Sequence, residues 1–184
     1  MNREEGLKLL KANVKNKNLL KHCYAVEVVM KYLARHFGED EELWGLAGLL
    51  HDVDYDSTKD DLAKHSLVGA EMLEEAGLPE ELIYAVKVHN DAHGLPRKSL
   101  MDKCLYATDP VTGLIVAGAL IRPEKKLGVV DVEFLRKRYH EKSFARGANR
   151  KQIAACADFG MSLEEFLAIS LEAMQSISKE LGLA

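Results

Sequence analysis

Leu49-Leu50-His51-Asp52-Val53-Asp54 closes an apolar run that begins at Leu43 and includes Trp44, Leu46 and Ala47. The segment Glu41 to Leu50 that contains it is apolar nearly all round, which predicts a helix at the centre of a domain. Gly45 and Gly48 would let a neighbouring backbone approach it closely. At its end stand two adjacent residues that can both ligate a metal. Burying an ionised Asp beside an imidazole is costly unless a cation or hydrogen-bond partners compensate. A lone His-Asp pair carries little information. Its weight comes from His22, His65, His89 and Asp109, each on the apolar side or at the end of a predicted helix.

Outward from this run, helical spacing dominates. Asn2 caps a first helix to about Val14, with Glu5 at its third position. A second runs from Leu19 to Phe37, with His22, Val26, Val29, Met30 and Leu33 on one face, and Gly38 ends it. Val53 to Asp60 reads as a polar turn. Asp61 to Ala76 reads as a helix carrying His65 on its apolar stripe. Pro79 opens a helix that carries His89, and Asn90 to Lys98 is a loop. Ser99 caps a long helix to about Ile121, in which Pro110 should produce a kink or interruption just after Asp109. Asp131 to Phe144 and Asn149 to Phe159 read as two further helices. A capping box of Ser162 and Glu165 starts a last helix to about Leu181. No alternating β-branched run is long enough for a sheet. The expected fold is all-α, one domain over residues 1–184, with 1–122 as a metal-binding core and 123–184 as a helical cover.

Composition narrows the function classes. The chain has 184 residues, 47% apolar and 29% charged, with a net charge of −4, which suits an ordinary soluble domain. The charge suggests no nucleic-acid partner. Cys23, Cys104 and Cys156 are too few and too scattered for a disulfide framework or a cysteine-rich zinc site. The longest near-apolar run, Val111 to Ile121, is too short to span a membrane, and no signal-peptide core is visible. A cytoplasmic protein without membrane partners is expected, and a homodimer is compatible with the sequence.

Imidazoles and carboxylates together suit transition metals such as Fe, Mn, Zn, Co or Ni, whereas Ca and Mg favour oxygen donors alone. Helices can aim such ligands inward from several directions. The order His22, His51-Asp52, His65, His89, Asp109 resembles the HD-domain metal-dependent phosphohydrolase superfamily. The resemblance runs from His22 to Asp109 and includes the segments GLLHDVD and HSLVGAEML. It implies His22, His51, Asp52 and Asp109 as ligands of one metal, with Asp52 as a bridge. It implies His65 and His89 as ligands of a second. Iron or manganese is favoured, as one or two ions. The substrate implied is a small phosphorylated molecule, a nucleotide by preference, attacked by metal-activated water.

Asp52 and Asp54 are the candidate catalytic residues; Asp54 would serve in acid/base work or orient a ligand histidine. Lys64, Arg122 and Arg146 are the candidate substrate contacts, Arg being suited to bidentate phosphate binding. His36 lies fourteen residues beyond His22, about 21 Å along a helix, and cannot share the site. The chain departs from better-known subfamilies. Val53-Asp54-Tyr55 follows His51-Asp52 without a lysine, and no adjacent histidine pair or Gly-Tyr-Pro motif is present. Two rival readings use the same ligands: a di-iron oxygenase, and a non-catalytic nucleotide-binding module.

Overall fold

Helix caps, read locally, set most of the element boundaries. In the computed structural model, which describes residues 1–184, the capping boxes of Asn2 with Glu5 and Ser162 with Glu165 both form, and Ser99 makes a third with Asp102. The chain is helical throughout. Helix α1 spans Arg3–Asn13, α2 Lys17–Phe37, α3 Glu41–Leu50, α4 Tyr55–Thr58, α5 Leu67–Glu75 and α6 Glu80–Val88. After a 3₁₀ turn at Asp91–His93 come α7 Leu100–Ile121, a second 3₁₀ turn at Leu127–Val129 and α8 Val132–His140. α9 Arg150–Ala154 passes into a third 3₁₀ turn at Ala155–Phe159, and α10 Leu163–Ser176 and α11 Ser178–Leu181 complete the fold.

α3 is the buried centre, with every residue from Trp44 to Leu50 inside. It lies along α2 so closely that a Cβ on Gly48 would stand 2.7 Å from the Val26 carbonyl oxygen. Only a glycine allows the two backbones to meet there. α7 packs on α2 and is wrapped by α6, α8, α9 and α10. Leu10, Met30, Leu33, Leu49, Leu50, Leu114, Ile115 and Phe166 are fully buried in one continuous core. α7 has 22 residues and is long and apolar enough to cross a membrane by length and composition. In this fold it is a core helix, with two-thirds (67%) of its most apolar stretch buried. The three cysteines are free and buried.

Several expectations need correction. Of the kink or interruption expected at Pro110, the interruption is absent, since α7 runs on through it. The proline cannot bond the Tyr106 carbonyl, and the Gln152 side-chain amide donates to that oxygen instead, at 3.5 Å. The helix expected from Asp61 starts only at Leu67, because Ser66 takes a left-handed conformation at φ 70°. His65 therefore sits in a turn rather than on a helical stripe. Val53 to Asp60 contains the short helix α4 in place of a simple turn.

The C-terminal half is tied down by polar contacts with carbonyls. The Arg150 guanidinium donates to the carbonyls of Tyr139, Glu141, Phe144, Ala145 and Ala148, which organises the loop between α8 and α9. Gln175 donates to Leu127 and Val130, and the Leu127 amide donates to Leu183.

Candidate metal centre

Six side chains from five places in the chain converge. α2 supplies His22, the end of α3 supplies His51 and Asp52, the turn before α5 supplies His65, the end of α6 supplies His89, and mid-α7 supplies Asp109. Asp52 is central and uses its two oxygens differently. Oδ2 lies 3.4 Å from His51 Nε2 and 3.6 Å from His22 Nε2. Oδ1 lies 3.3 Å from His65 Nε2 and 3.4 Å from His89 Nε2. Asp109 Oδ1 completes the first group, 3.0 Å from His22 Nε2 and 3.7 Å from His51 Nε2. Donors sharing one ion at bond lengths of about 2.1 Å stand roughly 3.0–3.4 Å apart in octahedral or tetrahedral geometry. Four of these six separations fall in that range, and the other two, His22–Asp52 at 3.6 Å and His51–Asp109 at 3.7 Å, are slightly longer.

The histidines are held by their other nitrogen. His51 Nδ1 donates to the Gly48 carbonyl at 2.7 Å, and His89 Nδ1 to the Val86 carbonyl at 2.5 Å. His65 Nδ1 donates to Asp54 Oδ1 at 3.0 Å. His22 Nδ1 donates to Thr112 Oγ1 at 3.2 Å, and that hydroxyl donates to the Asp109 carbonyl at 2.9 Å. Each Nε2 is thereby left as a lone pair facing inward. The Nε2 atoms of His22 and His51 then face one another at 3.1 Å. Two lone pairs that close repel unless a proton or a cation lies between them, so the donor set fits a metal on its own geometry. Two clusters, His22-His51-Asp109 and His51-Asp52-His89, can each hold a divalent ion.

Electrostatics point the same way. Burial alone would raise the carboxyls of Asp52 and Asp109, yet the facing imidazoles hold both well below the usual carboxylate range. Burial would lower His51, but Asp52 and Asp109 hold it well above the ordinary histidine value. His65 is likewise pushed down by burial and up by Asp52 and Asp54, and stands at about 9. Such opposed shifts in one cleft mark a functional site.

Asp54 stands behind His65. Its Oδ2 accepts from the amides of Ser66 and Gly69, both at 2.8 Å, and its Oδ1 from His65. Both oxygens accept hydrogen bonds, and Oδ1 meets the His65 nitrogen that faces away from Asp52. Asp56 accepts from the Lys15 and Asn16 amides, anchoring the α1–α2 connection. The proposed substrate contacts are not brought to the centre. Lys64 is exposed and pairs with Asp61. Arg122 follows the end of α7, thirteen residues beyond Asp109 and about 20 Å away at the helical rise, with its guanidinium over the Phe134 ring. Arg146 lines a separate recess with Lys142 and Lys151. Sequence reasoning missed Thr112 as the holder of His22, although it lies one turn from Asp109 on the same face. It also missed Asn90, which with His93 donates to the His65 carbonyl, for which no local signal exists. Tyr55 packs edge-on to His65 as a site wall.

Residues 19–114 match the HD domain family. An uncharacterised protein of Methanocaldococcus jannaschii is 34% identical over 140 residues, which cover 70% of this chain and 80% of that protein. Ribonuclease Y of Desulfotalea psychrophila is 29% identical over 96 residues, 52% of this chain. Ribonuclease Y of Lawsonia intracellularis is 29% identical over 122 residues, 64% of this chain. The chain spans only 18% and 24% of the length of those two ribonucleases. No solved structure matches. The expectation of no nucleic-acid partner is overturned by these ribonuclease relatives. Net charge averages over the whole surface and says nothing of a site whose charge is local. The chain belongs to the HD domain family, and its clustered His and Asp residues support metal-dependent catalysis.

Proposed function

We propose, from this family membership, that the chain hydrolyses a phosphoester or phosphoanhydride bond in a nucleotide-containing substrate. The observation that carries the reading is Asp52, whose two oxygens face two different sets of Nε2 atoms. On this reading His22, His51, Asp52 and Asp109 hold one ion, and Asp52, His65 and His89 hold a second. Iron or manganese suits this mix of imidazole and carboxylate donors. A bound divalent ion would supply a low-pKa water and draw charge from a phosphoryl oxygen.

The chain's own residues then do four things. His51 and His89, tied to backbone carbonyls, fix the inner donors. Thr112 holds His22, and Asp54 holds His65, so the centre is pre-organised before substrate arrives. Asp52 joins the two donor sets. Burial around His51 and His89 excludes water from the inner side. Residues 1–122 form the metal-binding core and 123–184 its cover in this reading, and the free thiols suit the cytoplasm. The likeness to ribonuclease Y supports a nucleotide in the substrate, free or within RNA.

The test is release of phosphate or nucleotide from a panel of nucleotides and short RNAs by manganese-loaded protein. Turnover is expected in the wild type and a fall of at least about 10³-fold in Asp52→Ala. Undiminished turnover in Asp52→Ala would refute the scheme.

A further inference from the structure

The six-residue centre is open on one side only. The side chains of His51, His89, His65 and Asp52 are 0%, 2%, 8% and 9% exposed, whereas those of His22 and Asp109 are 24% and 30% exposed. Any ligand must reach the centre past His22 and Asp109. A groove of about 510 Å³ begins at that point, within the size range of small-molecule sites. Lys21 and His22 of α2 form one wall, and Thr112, Val116, Ala117 and Leu120 of α7 form the other. From Thr112 to Leu120 is about 12 Å at the helical rise. The segment Leu181–Leu183 forms a third wall, lying against Lys21 through Gly182 and bonded to the Leu127 amide through Leu183.

The chemistry of this groove is sparse. Beyond Thr112 its α7 wall is aliphatic, Asn18 is its one amide side chain, and no carboxylate, Phe, Tyr or Trp lines it. Lys21 is its single amine, is exposed, and takes part in none of the ion pairs of the fold. Leu120 is 50% exposed, while Leu105 and Leu114 on the same helix are fully buried. An unpaired ammonium beside a site that gathers cations would repel a second cation and attract an anion. An aliphatic wall without rings gives contact area with no stacking preference among bases.

We infer that this groove holds the body of the substrate while its reacting phosphoryl group lies at the metal centre, and that Lys21 meets a second phosphate. This rests on the phosphohydrolase reading above and deepens it. The ligand chemistry is a nucleotide unit bearing one phosphate at the centre and one at Lys21. A free nucleoside diphosphate and the end of an RNA strand both offer it. Lys21 is a binding residue, and Ala117 sets how much of the substrate the groove admits.

The test uses the full chain reconstituted with manganese and three slowly hydrolysed probes. They are adenosine 5′-phosphorothioate, α,β-methylene-ADP and a 5′-phosphorylated diadenylate with phosphorothioate links. Dissociation constants are measured for wild type, Lys21→Ala and Ala117→Phe, with manganese content recorded for each. At least one two-phosphate probe should bind wild type about tenfold more tightly than the one-phosphate probe. That advantage should vanish in Lys21→Ala, with binding of the one-phosphate probe retained. Ala117→Phe should weaken all three probes without loss of manganese. An advantage confined to α,β-methylene-ADP assigns the groove to free nucleotides, and one confined to the diadenylate assigns it to RNA ends. Equal probe ratios in wild type and Lys21→Ala, with manganese retained, would overturn the groove assignment and leave the metal reading standing. Wild type that takes up no manganese would overturn both.

Discussion

Asp54 shows how a single carboxylate can serve a site it does not touch. Its Oδ1 and Oδ2 accept three hydrogen bonds, from His65, Ser66 and Gly69. Gly69 leaves little room beside it, since a Cβ there would lie 3.2 Å from the Asp54 carboxyl carbon and press on it. Asp54→Asn would turn an amide donor toward one of those N–H groups. We expect it to cost about 1–3 kcal/mol in urea unfolding and to weaken the ion held by His65 about 10–100-fold. Thr112→Val removes the acceptor for His22 Nδ1 while keeping the side-chain shape. Metal affinity should fall about tenfold, and Thr112→Ser should restore it; equal affinity in all three proteins would remove Thr112 from the site. These details were only partly legible in the sequence. The candidate ligands stood out by type and order. The turn that carries His65 did not, because Asp54, twelve positions away, accepts from the amide of Ser66 in a left-handed conformation that no local pattern encodes.

At the scale of elements, α3 and α7 were the most readable. The α3 boundaries follow from the apolar run and the Asp40 cap, whose side chain accepts from the amides of Glu42 and Leu43. The long helix from Ser99 was legible too, but its continuity through Pro110 depends on Gln152, forty-two residues later. The last helix was expected to run unbroken to Leu181, and it breaks at Ile177 instead. Gly48 is where element packing and chemistry meet. A Cβ there would clash with the backbone of Val26 and Glu27, and its carbonyl holds His51. Gly48→Ala should therefore cost on the order of 3 kcal/mol, lowering Tm by roughly 6–12 °C, and should reduce metal content as well. Gly113→Ala, with nothing within 4 Å of the added carbon, should instead stabilise α7 by about 0.5–1 kcal/mol. Unchanged Tm in Gly48→Ala would mean that α2 and α3 do not pack as closely as described.

At the scale of the whole molecule, metal binding, protonation and stability are linked. His65 is held at about 9, above its ordinary value of 6.5, by Asp52 and Asp54 acting against burial. In metal-stripped protein this raised value contributes stability that is full below about 6.5 and is lost as pH rises through about 9. A metal competes with those same protons. Metal affinity measured by calorimetry should thus rise from pH 6 to pH 9, with protons released on binding. A flat profile would mean that His65 is not a ligand. Binding should also raise Tm in a metal-dependent way.

The central claim is that Asp52 joins two metal sites in one HD-family centre. The most direct check is metal content per chain in protein purified without added metal or chelator, with His65→Ala and Asp52→Ala measured alongside. Wild type should carry close to two ions, His65→Ala close to one, and Asp52→Ala fewer than one. One ion in both wild type and His65→Ala would contradict that claim, reducing His65 and His89 to walls of a mononuclear site.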